Sequence, residues 1–162
     1  MNATFLRHTP GALLLAVFSL LCLAPIAVAV SPGVSVQKTG ISATLEECLG
    51  AGAQGERSAT FAGEMNTIPS STRMEMRIDV IERMPGEVTY HTVTAPGLGV
   101  WRGSAPGVKA YRYLKQVTNL AGPAFYRGVV HYRWLNNKGR LLAVSVLRTK
   151  RCEQPATEAP LE

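Results

Sequence analysis

Between residues 41 and 152 the chain alternates apolar and polar positions with period two, and no segment there carries apolar residues at helical spacing. In "TRMEMRIDV", Met74, Met76, Ile78 and Val80 alternate with Arg73, Glu75, Arg77 and Asp79, the pattern of a half-buried strand. In "AFYRGVVHYRWL", Tyr126, Gly128, Val130, Tyr132 and Trp134 alternate with Arg127, Val129, His131 and Arg133. That strand meets "RLLAVSVLRT" through "NNKG", where Gly139 can take the positive φ of a short hairpin. The inward set expected for this last strand is Leu142, Val144 and Val146. Leu147 breaks the alternation, so a bulge or a change of face is expected near it.

The remaining strands are less regular. "ISATLEECLG" and "ERSATFAGEM" flank a Gly/Ala turn, with Phe61 as the core residue of the second. "EVTYHTVT" follows the turn "MPGE", and "VKAYRYLKQVT" follows a long loop. Seven short strands with turn signals between them predict an all-β domain. The expected packing is an antiparallel two-sheet sandwich with Greek-key links, and a small β-barrel is the alternative. In the sandwich the third, sixth and seventh strands are neighbours. Glu75 and Asp79 then lie beside Arg127, His131 and Arg133 as a mixed-charge ladder.

The stretch "NLAGPAFYRGVVHYRW" resembles the approach to the sixth strand in immunoglobulin-like sandwiches, the fibronectin type III branch in particular. Leu120, Pro123 and Tyr126 carry the likeness, followed by the alternating apolar residues. It spans roughly residues 41 to 152 and implies that Tyr126 is a corner tyrosine whose hydroxyl bonds the preceding loop. Phe61 stands at best where the second-strand tryptophan is expected, and the antibody-type cysteines on the second and sixth strands are missing. The chain is similar to small secreted bacterial proteins with one such domain, a likeness that implies no known activity.

Residues 1–29 read as a signal peptide: Arg7 and His8, the apolar run "GALLLAVFSLLCLAPIAVA", then Ala27 and Ala29 in the pattern read by signal peptidase. Pro25 and the absence of a basic stop-transfer cluster argue against a transmembrane anchor. Cleavage after Ala29 would leave residues 30–40 as a leader segment, 41–152 as the sandwich domain and 153–162, "EQPATEAPLE", as a disordered acidic tail. It would also remove Cys22, so that Cys48 and Cys152 remain as an even pair in an oxidising, extracellular or cell-envelope compartment. A bond between them closes a loop of about 100 residues, worth up to roughly 4.7 kcal/mol in the chain-entropy model.

The formal net charge of +6 is unevenly spread. No Asp or Glu occurs between Glu87 and Glu153, an interval holding eleven Lys and Arg residues. Of these, Arg102, Lys109, Arg112 and Lys115 have only Glu64 as a probable acidic neighbour, and they are the expected basic binding surface. Trp101 sits beside them between two copies of Ala-Pro-Gly. It is expected to fold across an open end of the core as a plug, with display as a binding anchor as the alternative.

Catalytic chemistry finds little to work with. His91 and His131 are the histidines outside the signal segment, Asp79 is the sole aspartate, and Ser104 lacks a nucleophile-elbow context. No zinc or calcium spacing is present, and "GLGVWRG" does not open a helix, so no metal and no cofactor are expected. Aromatic residues are too sparse for single-strand stacking, and nucleic acid is not the expected partner. The reading is a secreted, non-catalytic binding or adhesion-type module for an extracellular polyanion or an acidic protein. An envelope structural module is the alternative, and a small secreted hydrolase a remote one.

Overall fold

The computed structural model describes residues 40–50 and 56–156. The signal-peptide reading, most of the leader segment and the tail beyond residue 156 therefore lie outside the described residues. Those residues form nine strands and no helix: β1 Ile41–Leu49, β2 Ser58–Asn66, β3 Arg73–Arg83, β4 His91–Thr92, β5 Arg102–Gly103, β6 Ala110–Thr118, β7 Ala124–Leu135, β8 Leu141–Arg148 and β9 Cys152–Gln154. One sheet has the order β1-β2-β6. The other runs β4-β3-β7-β8, with β5 also on β3 and β9 also on β7. All the pairings are antiparallel, neither sheet closes on itself, and the fold is an immunoglobulin-like sandwich, not a barrel.

The alternation of "TRMEMRIDV" and "AFYRGVVHYRWL" determines the centre. β3 and β7 pair without interruption from Arg73 opposite Leu135 to Arg83 opposite Phe125. Met74, Met76, Ile78 and Val80 thereby meet Trp134, Tyr132, Val130 and Gly128 on the buried side, where Phe61 and Met65 of β2 cover them. Gly128 is needed there because a Cβ would sit about 3.0 Å from the Phe61 ring. The aromatic polar tips are all satisfied. The Trp134 indole donates to the Asn66 carbonyl (2.8 Å), the Tyr132 hydroxyl to the Ser42 carbonyl (2.6 Å), and the Tyr126 hydroxyl to the Glu82 carboxylate and the Ala121 carbonyl. The Tyr126 contact with Ala121 is the bond to the preceding loop that the fibronectin likeness implied. Burial above all raises the Tyr126 and Tyr132 phenols above their ordinary values, so both stay neutral at physiological pH.

Three expectations change. "EVTYHTVT" contributes only His91–Thr92 as strand, because its neighbours follow β3 through isolated backbone bonds. The acidic tail begins later than residue 153, since Glu153 and Gln154 belong to β9 and Gln154 is buried. The third change is the phase of β8. Val129 faces Arg148 and His131 faces Val146, so the outward residues of β7 share their face with Val144, Val146 and Arg148. The inward set is Ala143, Ser145 and Leu147, while Leu142, Val144 and Val146 are exposed. In "LLAVSVL" both parities are apolar, so hydropathy alone could not choose between them.

Two single-residue bulges place the cysteines. In β1, Leu45 faces Phe61 and Glu47 faces Thr60, leaving Glu46 as the extra residue. Before the bulge odd positions share the face of the core; after it Cys48 does, opposite the buried Ala59. Along β7, Val129 faces Arg148 and Tyr126 faces Cys152, so three steps on β7 match four from β8 to β9. The bulge expected near Leu147 thus lies beyond it, at 149–151. Thr149 repairs the ladder: its N–H donates to the Gly128 carbonyl and its hydroxyl oxygen accepts from the Gly128 N–H (2.9 Å each). Cys152, now inward, is bonded to Cys48 with Cα atoms 5.5 Å apart, joining the two sheets.

Deleting Lys150 removes the extra residue and turns Cys152 to the outer face. The expected outcome is two free thiols on alkylation and peptide mapping of the oxidised protein, where the unmodified chain has none from this pair. Separately, Leu147→Ala is expected to destabilise by about 2 kcal/mol and Val146→Ala by less than about 0.5 kcal/mol. Urea midpoints of the two variants check this; the reverse order would put β8 in the phase first expected.

Candidate functional site

The tryptophan loop does not cross the end of the core. It runs along the free edge of β3, bonding it at Val93 N–H to Val80 O, Gly99 N–H to Ile78 O, Ser104 N–H to Met74 O and Gly107 N–H to Thr72 O. Ala95-Pro96-Gly97 makes a tight turn closed by Leu98 N–H to Ala95 O, with Gly97 at φ 77°, as a Pro-Gly type II turn requires. Met76 pairs with Arg102 and Glu75 with Gly103, so the same register sets Trp101 beside Arg77 on the outer face. Trp101 is half-buried there. The Arg133 guanidinium lies 4.0 Å and that of Arg77 5.3 Å from its ring centroid, and His131 meets it edge-on at 6.5 Å. It is a plug, but over an ionic ladder and not over the core.

Beneath it, Glu75 is only 7% exposed and takes two contacts from Arg133 and one from Arg73 (3.4 Å). Asp79 bonds Arg77 and His131, both at 2.9 Å. The expected ladder is therefore present, with one correction: Arg127 stands opposite Ile81, away from either carboxylate.

The four basic residues singled out by sequence are divided by the pleat. Arg112 faces Glu64 and reaches outward to Glu64 and Glu46, at 3.1 and 3.0 Å. Glu46, the bulge residue of β1, is held below the usual carboxylate range by the Thr44 hydroxyl and then by Arg112. Lys115 has the opposite parity, faces the side of Phe61, and carries its ammonium to Gly97 at the open edge. Arg102 and Lys109 are exposed, and Arg102 faces the side of Met76 towards Tyr111. Three residues apart in a strand means opposite faces, so Arg112 and Lys115 cannot share a surface.

A different group of cations shares one. On the outer face beyond Asp79, β3, β7 and β8 bring up Arg83, Arg127 and Arg148, and among the described residues none of the three has a carboxylate partner. Tyr90 lies between Arg83 and Arg127, with guanidinium carbons 5.4 and 5.8 Å from its ring centroid. Phe125 supports Arg83 at 5.1 Å and Arg151 at 4.6 Å. The Nε atoms of Arg83 and Arg127 are buried without an acceptor. A depression of about 430 Å³ opens among Ile81, Thr89, Tyr90, Arg127, Val129 and Arg148. Stacking uses the guanidinium face, so an anion is met by the in-plane N–H groups, of which one on Arg83 already donates to the Glu87 carbonyl (3.1 Å).

The sequence carried one signal for this group, the parity shared by Arg83, Arg127 and Arg148 once β8 is in phase. Ser104, the one serine weighed as a nucleophile, accepts from the Met74 N–H and donates to the Ala105 carbonyl, which ties the loop to β3. Among the described residues no three His, Cys, Asp or Glu side chains cluster as metal ligands, and no helix is long and apolar enough to cross a membrane.

Trp101→Ala is expected to cost about 1–2 kcal/mol and Glu75→Ala about 3 kcal/mol, with the double variant losing less than the sum, because Arg133 links them. A double-mutant cycle by chemical denaturation measures the coupling. Compared with protein-family models and with curated proteins, the chain matches none.

Proposed function

We propose that this protein is a secreted, non-catalytic binding module that holds a polyanion on the outer face of β3, β7 and β8. The observation that carries the reading is the group Arg83, Arg127 and Arg148, stacked on Tyr90 and Phe125 or exposed, and without carboxylate partners among the described residues. Guanidiniums already held by aromatic rings lose little freedom when an anion arrives, and each offers a planar fork to a sulfate, phosphate or carboxylate oxygen. The charge is local. Towards Trp101 the same face is neutralised by Glu75 and Asp79, and across the sandwich Arg112 is neutralised by Glu46 and Glu64. The Cys48–Cys152 bond and the signal-like start of the chain support an oxidising, extracellular setting.

The test is retention on an immobilised sulfated glycan across a sodium chloride gradient. Attraction of this kind weakens as the Debye length falls from about 10 Å at 0.1 M to about 3 Å at 1 M. The triple variant Arg83→Ala/Arg127→Ala/Arg148→Ala, confirmed folded by circular dichroism, is expected to elute at clearly lower salt than the unmodified protein. Arg112→Ala is expected to elute close to it. Equal elution of the triple variant would make this surface ordinary solvated charge and remove the reading.

A further inference from the structure

Among the described residues no segment covers the edge of the larger sheet that β8 forms, and its bulges lie only at its two ends, at Leu142 and at 149–151. Natural edge strands are blunted by lysine, proline, bulges or covering segments. From Leu141 to Leu147, β8 contains neither charge nor proline. The bond from Thr149 N–H to Gly128 O sets the phase of its ladder: Ala143, Ser145 and Leu147 direct their N–H and C=O groups at β7. Val144 and Val146 therefore direct theirs away from the sheet. The same two residues carry exposed side chains, at 65% and 53%. Free backbone donors and acceptors and an apolar surface thus coincide along one edge.

The charges around that edge restrict what can pair with it. Lys138 and Arg140 stand at the hairpin end and Arg148 and Lys150 at the other, all exposed and, among the described residues, without carboxylate partners. A second copy is a poor match. Of the antiparallel pairings that bring valine to valine, those centred on Ser145 or Val144 set Arg140 against Lys150 or Arg148 of the other copy, and the one centred on Val146 sets Arg148 against the apolar Val144. Like charges directly opposed are destabilising. A segment with carboxylates at both ends meets opposite charge instead.

We propose that β8 is a strand-addition site for an extended peptide segment of a partner protein, with alternating apolar residues at its centre and acidic residues at both ends. Main-chain hydrogen bonds from Val144 and Val146 hold the segment, their side chains select its apolar residues, and the flanking cations select its ends. This site shares Arg148 with the polyanion surface and is otherwise distinct from it.

The probe is a fluorescent peptide alternating valine and threonine with two glutamates at each end, titrated against the disulfide-bonded protein by anisotropy. Saturable binding is expected, at least tenfold weaker for the same peptide with lysines in place of the glutamates. Val146→Pro removes an N–H that β7 does not use, so it is expected to lower binding at least tenfold with a nearly unchanged thermal midpoint. Val144→Lys serves the same purpose should the proline variant fold poorly. Arg127→Ala is expected to leave peptide binding intact while reducing glycan retention, which separates this proposal from the previous one. No saturation, equal binding of the lysine-flanked peptide, or indifference to both β8 variants overturns it. So does a dimer of the unmodified protein in sedimentation that Val144→Lys dissociates.

Discussion

The ladder between β3 and β7 is the constraint on which the other features of the domain depend. Its unbroken register sends Met74, Met76, Ile78 and Val80 to one side with Tyr132 and Trp134, and Glu75, Arg77 and Asp79 to the other with His131 and Arg133. A slip of one residue would exchange the two sets completely, burying four charges and exposing the core. Both remaining groups of strands hang from this pair: β4 and β5 from the free side of β3, β8 and β9 from the free side of β7. The second sheet adds its cover through Phe61 and Met65.

The cross-link between the sheets follows from local irregularity. A strand without interruption would have kept Cys48 in phase with Thr44 and Cys152 in phase with Val146, on outward faces. One extra residue in each, Glu46 and the bulge at 149–151, brings each cysteine to the inner side. The inserted residues are used as well as tolerated. Glu46 pairs with Arg112, and the Thr149 hydroxyl replaces the carbonyl that the Gly128 N–H would otherwise lack.

On the outer face, charge and aromatic surface are sorted by rung. Glu75 is buried enough that its charge needs Arg133 and Arg73, and Trp101 shields that pair from water. Two rungs beyond Asp79 the arginines lie on Tyr90 and Phe125, and the carboxylate opposite Phe125, Glu153, pairs with Arg151. The same structural device, a guanidinium laid on a ring, is internally neutralised at one end and open at the other. That difference is what makes one end scaffold and the other a candidate site.

By itself the sequence determined the faces of β3 and β7, the hairpin at "NNKG" and the role of Tyr126, because each is written in neighbouring residues: period two, a glycine in a turn, a tyrosine after a proline. Three features became decidable only in the folded chain. The phase of β8 was ambiguous because Leu142, Val144 and Val146 alternate with residues nearly as apolar, and pairing with β7 broke the tie. Trp101 was readable as a core plug until the edge of β3 took up its loop and turned it outward. The basic quartet around it looked like one surface because its members are close in sequence, yet the pleat parts Arg112 from Lys115. Arg83, Arg127 and Arg148, far apart in the chain, became neighbours through register. Alternation states that a strand has two faces; which charges meet on a face depends on pairing between residues tens of positions apart, and only the tertiary structure supplies that.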